Sequence, residues 1–194
     1  MISDRYEGTA GGVIIKKVKI FIVVLVAAVC LGGCRGLGAP PNTDLIKYTA
    51  DAFEADLRGQ VGELEFEAHL TASAPSMTGE RSVSLEFFAP ETLRGATVSR
   101  IDGVVSYVCG GQHFEFDGGG EGWLEIADIL CAEGSLTALR RVEGSPHVVA
   151  TLTQGERVCA VTVDSQSGYP VAAEQISPRH ISLQVVSFAA NKKE

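Results

Sequence analysis

Cys34 is the side chain best placed to do chemistry in this sequence, because it brings a strongly nucleophilic thiol directly after Leu31, Gly32 and Gly33. Two glycines would leave a peptidase room to cut ahead of the cysteine, whose thiol is a nucleophile able to accept a lipid group. Cys30 has no small pair before it and is the poorer acceptor. The other reactive side chains are scattered. His69, His113, His147 and His180 each stand beside a separate strand pattern, and none lies at metal-ligand spacing from another. Glu63, Glu65 and Glu67 have the residue types for acid–base work, but their alternation with apolar neighbours makes them a solvated strand face. Asp117 and Glu121 flank three glycines without the ordered oxygen positions of a calcium loop. The sequence has no Gly-x-Ser-x-Gly elbow, zincin helix, P-loop or dinucleotide fingerprint. Neither catalysis, a metal nor a cofactor is expected.

The element that presents Cys34 is an apolar run over residues 20–31, preceded by Lys16, Lys17 and Lys19. Signal h-regions take ~7 to 15 residues, whereas a membrane-crossing helix needs ~20, so the run reads as an export signal. Together with Leu31, Gly32 and Gly33, Cys34 resembles the lipobox of bacterial lipoproteins. That resemblance implies cleavage before Cys34, acylation there, and attachment to the extracytoplasmic face of a cell membrane. Two or three chains anchor stably where one does so marginally. The alternatives are an ordinary signal peptide or an uncleaved anchor that happens to contain a cysteine. Residues 1–12 fit neither a signal n-region nor a folded domain, which is consistent with translation starting near Val13 if its codon is GUG. The expected organisation is a signal peptide over 1–33, a lipidated Gly/Pro-rich tether over 34–42 and one domain over 43–194.

The whole chain carries 16 Lys and Arg against 24 Asp and Glu, a net charge of −8. Cleavage at Cys34 would remove Arg5, Lys16, Lys17, Lys19, Asp4 and Glu7, which makes the remainder still more acidic. With no basic patch to neutralise phosphates, nucleic acid is excluded as a partner. The body holds Cys109, Cys131 and Cys159 with no Cys-x-x-Cys spacing. They are read as three reduced core residues, or as one disulfide and a free thiol. Composition says nothing about oligomeric state.

A helical turn is expected over residues 43–52, capped by Asn42 or Thr43. Period two then takes over: Phe53, Ala55 and Leu57 alternate with Glu54, Asp56 and Arg58, and after Gly59 and Gln60 the alternation resumes from Leu64 to Leu70. Val83, Leu85 and Phe87 repeat it. Asp102-Gly103 suits a two-residue hairpin turn between residues 97–101 and 104–109, which pairs Val98 with Tyr107. Further strands are expected at 112–116, 148–152, 157–164, 171–176 and 180–188. Trp123, Ile126, Ala127 and Leu130 form one helical face within 123–131. The fold class is α+β: a single, strongly curved antiparallel sheet, or half-barrel, wrapped over one or two helices.

Residues 161–170, Val-Thr-Val-Asp-Ser-Gln-Ser-Gly-Tyr-Pro, and the alternating run over 181–188 are similar to the closing hairpin of the outer-membrane lipoprotein carrier fold. The N-terminal order of a short helix, the strand at residues 53–57 and long hairpins resembles it too. That superfamily includes lipoprotein carriers, their receptor, a periplasmic stress regulator and lipid-carrying mycobacterial lipoproteins, built as a half-barrel around an apolar cavity. The soluble carrier of the family is not acylated, so the resemblance points to its tethered relatives. No carrier-type arginine can be matched, and Arg94 and Arg100 read as solvated strand-end charges.

Phe66, Leu70, Leu85, Phe87 and Val98 are candidates for the concave lining of such a sheet, together with Tyr107, Phe114, Trp123, Ile126 and Leu130. Fully packed, they form only a core; incompletely filled, they leave a pocket suited to acyl chains. Gly118, Gly119 and Gly120, just before Trp123, are the candidate gate. The resemblance implies a non-catalytic envelope lipoprotein holding a lipid or acylated partner. The alternative is a sensing or protein-interaction module with no lipid ligand.

Overall fold

The structure is a computed structural model that describes residues 43–116 and 122–191. The signal segment, the cleavage motif Leu31, Gly32 and Gly33, Cys34, the tether and the candidate gate Gly118, Gly119 and Gly120 lie outside the described residues.

A 3-10 helix, Thr43–Ala50, leads into six strands: β1 (Ala52–Val61), β2 (Leu64–Ala72), β3 (Val83–Ala89), β4 (Thr97–Ile101), β5 (Val104–Cys109) and β6 (Gln112–Phe116). Helix α1 (Leu124–Leu130) follows, and five strands complete the domain: β7 (Ser135–Arg141), β8 (His147–Gln154), β9 (Arg157–Asp164), β10 (Pro170–Ser177) and β11 (Ile181–Asn191). All eleven strands form one antiparallel sheet that does not close, in the order β6-β5-β4-β3-β2-β1-β11-β10-β9-β8-β7. It is two meanders joined through the pairing of β1 with β11. The chain leaves the first meander at one outer edge, β6, and begins the second at the other, β7. The connection must cross the concave side, and α1 lies on that crossing. The expected class, a curved antiparallel half-barrel over a helix, is the observed one.

Three local features differ from the sequence reading. Gly59 and Gln60 do not turn; β1 runs on to Val61, and the reversal comes at Gly62, whose φ of 61° suits glycine. Strand β7 has no counterpart among the expected strands, since a register shift between Leu136 and Ala138 breaks its alternation. Helix α1 buries Leu124, Ile126, Ala127, Asp128, Ile129 and Leu130 rather than one face, because the sheet wraps around it. The Asp102-Gly103 turn forms as expected, with φ of 51° and 80°, and Val98 pairs with Tyr107.

Candidate functional site

Register places one row of inward-facing residues across seven strands: Phe188 on β11, Ala55 on β1, Leu70 on β2, Leu85 on β3, Val98 on β4, Tyr107 on β5 and then Phe114 on β6. Burial is complete in the middle, with Leu70 and Leu85 at 0% exposure and Val98 at 1%. It fails at the edge. Tyr107 is half-buried, and Phe114 stands 46% exposed. Position explains the gradient, for α1 packs principally on β3, β4, β9 and β10, and among the described residues no helix packs principally on β5 or β6. The result is an apolar shelf beside Val98, with half-buried Cys109 on the same face.

The ten residues expected to line a concave pocket therefore divide. Phe66, Leu70, Leu85, Phe87, Val98, Ile126 and Leu130 are buried in the packed core. Trp123 is partly buried, edge-on to Phe87 at 4.9 Å and to Phe66 at 6.1 Å between ring centroids. Tyr107 and Phe114 form the shelf.

Charged side chains pin α1 at both ends. Asp128, 7% exposed, accepts from Arg100 of β4 at 2.9 Å and from Arg157 of β9 at 3.2 Å. Glu133 takes a second bond from Arg100 at 3.3 Å. Burial, followed by the neighbouring Asp128 charge, raises the Glu133 carboxyl above its usual range. Arg100 is thus not a solvated strand-end charge: strand alternation turns it inward, where a buried carboxylate holds it. Arg94 is exposed and pairs with Glu91. At the start of the helix, Glu125 accepts from Arg179 at 3.0 Å and from fully buried Gln175 at 3.3 Å. The hydroxyl of Tyr48 donates to the carbonyl of Leu130 at 2.8 Å, tying the 3-10 helix to the end of α1. Asp128 and Gln175 escaped the sequence reading. In a one-faced helix Asp128 falls opposite the apolar stripe, and Gln175 sits unmarked in a short alternating run.

The remaining reactive groups do not assemble. His69 bonds Asp56 at 2.8 Å, His180 bonds Glu174 at 2.7 Å, and His113 lies 3.8 Å from Glu115. Among the described residues no three His, Cys, Asp or Glu side chains gather to hold a metal ion. Cys109, Cys131 and Cys159 are free, and no described helix is long and apolar enough to cross a membrane.

The chain is similar in structure to an uncharacterized conserved protein from Thermus thermophilus, at 15% identity over 78% of this chain and 86% of that one, with a TM-score of 0.48. It is also similar to a LolA superfamily protein from Nitrosomonas europaea, at 11% identity over 80% and 96% of the two chains, with a TM-score of 0.43. The MucA/MucB complex of Pseudomonas aeruginosa is similar at 14% identity over 78% of this chain and 56% of that one, with a TM-score of 0.43. The match thus spans little more than half of the MucB chain. No family model matches the sequence, and no curated protein does.

Proposed function

We propose that this chain is a non-catalytic lipoprotein of the bacterial cell envelope, acylated at Cys34, that holds an acyl chain or an acylated partner against the uncovered end of its concave face. The observation that carries this reading is the 46% exposure of Phe114 on a row whose inner members are wholly buried. A large aromatic side chain in water costs hydrophobic free energy of about 1.5 to 3 kcal/mol relative to burial. Half-buried Tyr107 lies beside Phe114 on the same face, so a hydrocarbon chain laid across the two rings would cover aromatic surface that the core leaves open. The Cys34 anchor would keep the domain near lipid: the ten steps from Cys34 to Asp44 reach at most ~35 Å.

Native mass spectrometry of the full-length protein released from detergent tests both halves. A covalent mass increment on Cys34, absent from Cys34→Ala, is expected for the anchor. A noncovalent lipid adduct, reduced at least fivefold in Phe114→Glu, is expected for the shelf. A wild-type spectrum with no adduct, or an equal adduct in Phe114→Glu, rejects lipid binding there. A protein adduct in its place supports the interaction-module reading.

A further inference from the structure

The open sheet ends in two edges, β6 and β7, and the two are guarded differently. An unpaired edge offers its N–H and C=O groups to any other strand, and proteins blunt it with bulges and charged side chains. Strand β7 has both: the register shift between Leu136 and Ala138, and the exposed side chains of Arg140 and Arg141. Strand β6 has no such guard. Its register with β5 is unbroken from Gln112 to Phe116, it carries no lysine, arginine or proline, and Gln112, His113, Phe114 and Glu115 are all exposed. Among the described residues it pairs with β5 alone.

The β5–β6 turn decides which backbone groups of β6 remain open. Gly110 and Gly111 have φ of 58° and 77°, the two positive angles of a type I′ turn, so Cys109 and Gln112 flank a two-residue hairpin loop as a hydrogen-bonded pair. Bonded and non-bonded pairs alternate along an antiparallel ladder. Tyr107 with Phe114 is then the next bonded pair, and the N–H and C=O groups of His113 and Glu115 point away from β5 to the free edge.

A second copy of β6, related by a two-fold axis, can meet that edge in three registers that keep the alternation. Centred on His113, it sets imidazole against imidazole; centred on Glu115, it sets carboxylate against carboxylate. Centred on Phe114, it sets each His113 opposite the partner's Glu115 in a bonded pair, so that each pair exchanges two backbone hydrogen bonds. Only this register places complementary side chains across the seam, where like charges directly opposite would destabilise it. The two Phe114 rings then adjoin on the concave face as a close, non-bonded pair.

We infer that two copies of this chain associate through their β6 edges, antiparallel and centred on Phe114, into one continuous sheet. Few residues meet, so the contact falls in the weak, reversible class below about 1,200 Å². The inference rests on the backbone edge and its flanking charges, and does not depend on acyl binding at the shelf.

Sedimentation equilibrium of the full-length protein, in excess maltoside and over a range of protein concentrations, tests this. Wild type is expected to show a monomer–dimer equilibrium. His113→Glu opposes carboxylates across the seam and Glu115→Lys opposes lysine to histidine, so each alone should weaken the dimer at least fivefold. Both positions are exposed, at 55% and 67%, and neither change touches the core. Mixed in equal amounts, the two variants face every carboxylate with a lysine or a histidine, and dimerisation should return to at least the wild-type level. Wild type that stays monomeric at every concentration overturns the inference. So does a dimer indifferent to His113→Glu, or a mixture as weak as either variant alone. His113→Glu keeps the Phe114 ring, so the lipid adduct scored in that variant separates failure of the dimer from failure of lipid binding.

Discussion

Gly59 of β1 lies directly opposite Phe66 of β2, and a Cβ on the glycine would stand 2.4 Å from Cζ of that ring. On the other side, Leu183 Cδ2 would be 2.8 Å away. The missing side chain is the space into which Phe66 lies, so glycine serves close packing here rather than a turn. The ring has little freedom to retreat, because Phe87 and Trp123 meet it edge-on at 5.8 and 6.1 Å. Gly59→Ala is therefore expected to destabilise the domain by about 1 to 3 kcal/mol, as overpacking of a filled core does. Chemical denaturation measures this; a midpoint equal to wild type would mean that Phe66 moves freely and the contact is loose.

Asp128 offers a test of how α1 is held. Asp128→Ala leaves Arg100 and Arg157 facing a buried site with no carboxylate from the helix. The cost is expected somewhat below the ~3 to 5 kcal/mol of a wholly buried pair, since the two arginine side chains retain 24% and 22% exposure. Arg94→Ala breaks an ion pair whose partners are 63% and 78% exposed, and should cost less than about 0.5 kcal/mol. Thermal melts of the two variants side by side measure the contrast. Equal losses would place the stabilising charge interactions on the surface instead.

Features governed by neighbours in sequence were legible. The Asp102-Gly103 turn, the alternation of β1 and β2, and the pairing of Val98 with Tyr107 follow from local backbone preference and period two. Features governed by distant partners were not. Asp128 is buried because Arg100 and Arg157, 28 and 29 residues away, meet it there. Strand β7 hid because its bulge destroys the only signal an exposed edge strand has. The candidate lining was legible as a set of inward-facing residues, but which of them a roof covers depends on where a seven-residue helix sits in an eleven-strand sheet.

The pH dependence of Glu133 has a definite sign. Burial and the adjacent Asp128 charge raise its carboxyl in the folded protein above its value in the unfolded chain. A raised group contributes stability that is fully present below its unfolded pKa and is lost as pH rises through its folded pKa. Glu133→Gln, which keeps the shape and cannot ionise, escapes that loss. Its melting temperature relative to wild type should therefore climb from pH 3 to pH 7, with the rise falling in the carboxylate range and just above it. A difference that is flat or declines with pH would show that Arg100 outweighs burial at this site.

Thiol reactivity separates the packed core from the unroofed shelf. Burial pushes the Cys131 thiol up to about 12 and raises that of Cys159, so neither supplies thiolate near neutrality, and both are closed to reagent. Cys109 is half-buried on the face that α1 leaves open, beside Tyr107 and opposite Gln112. Iodoacetamide at pH 8, followed by peptide mass mapping, should thus modify Cys109 in the native protein and reach Cys131 and Cys159 only after denaturation. Because Cys131 is only 5% exposed, rapid native labelling there would mean that this end of the half-barrel opens. Protection of Cys109 equal to that of Cys131 would mean that something covers β5 and β6, and the apolar shelf would then be closed to a ligand.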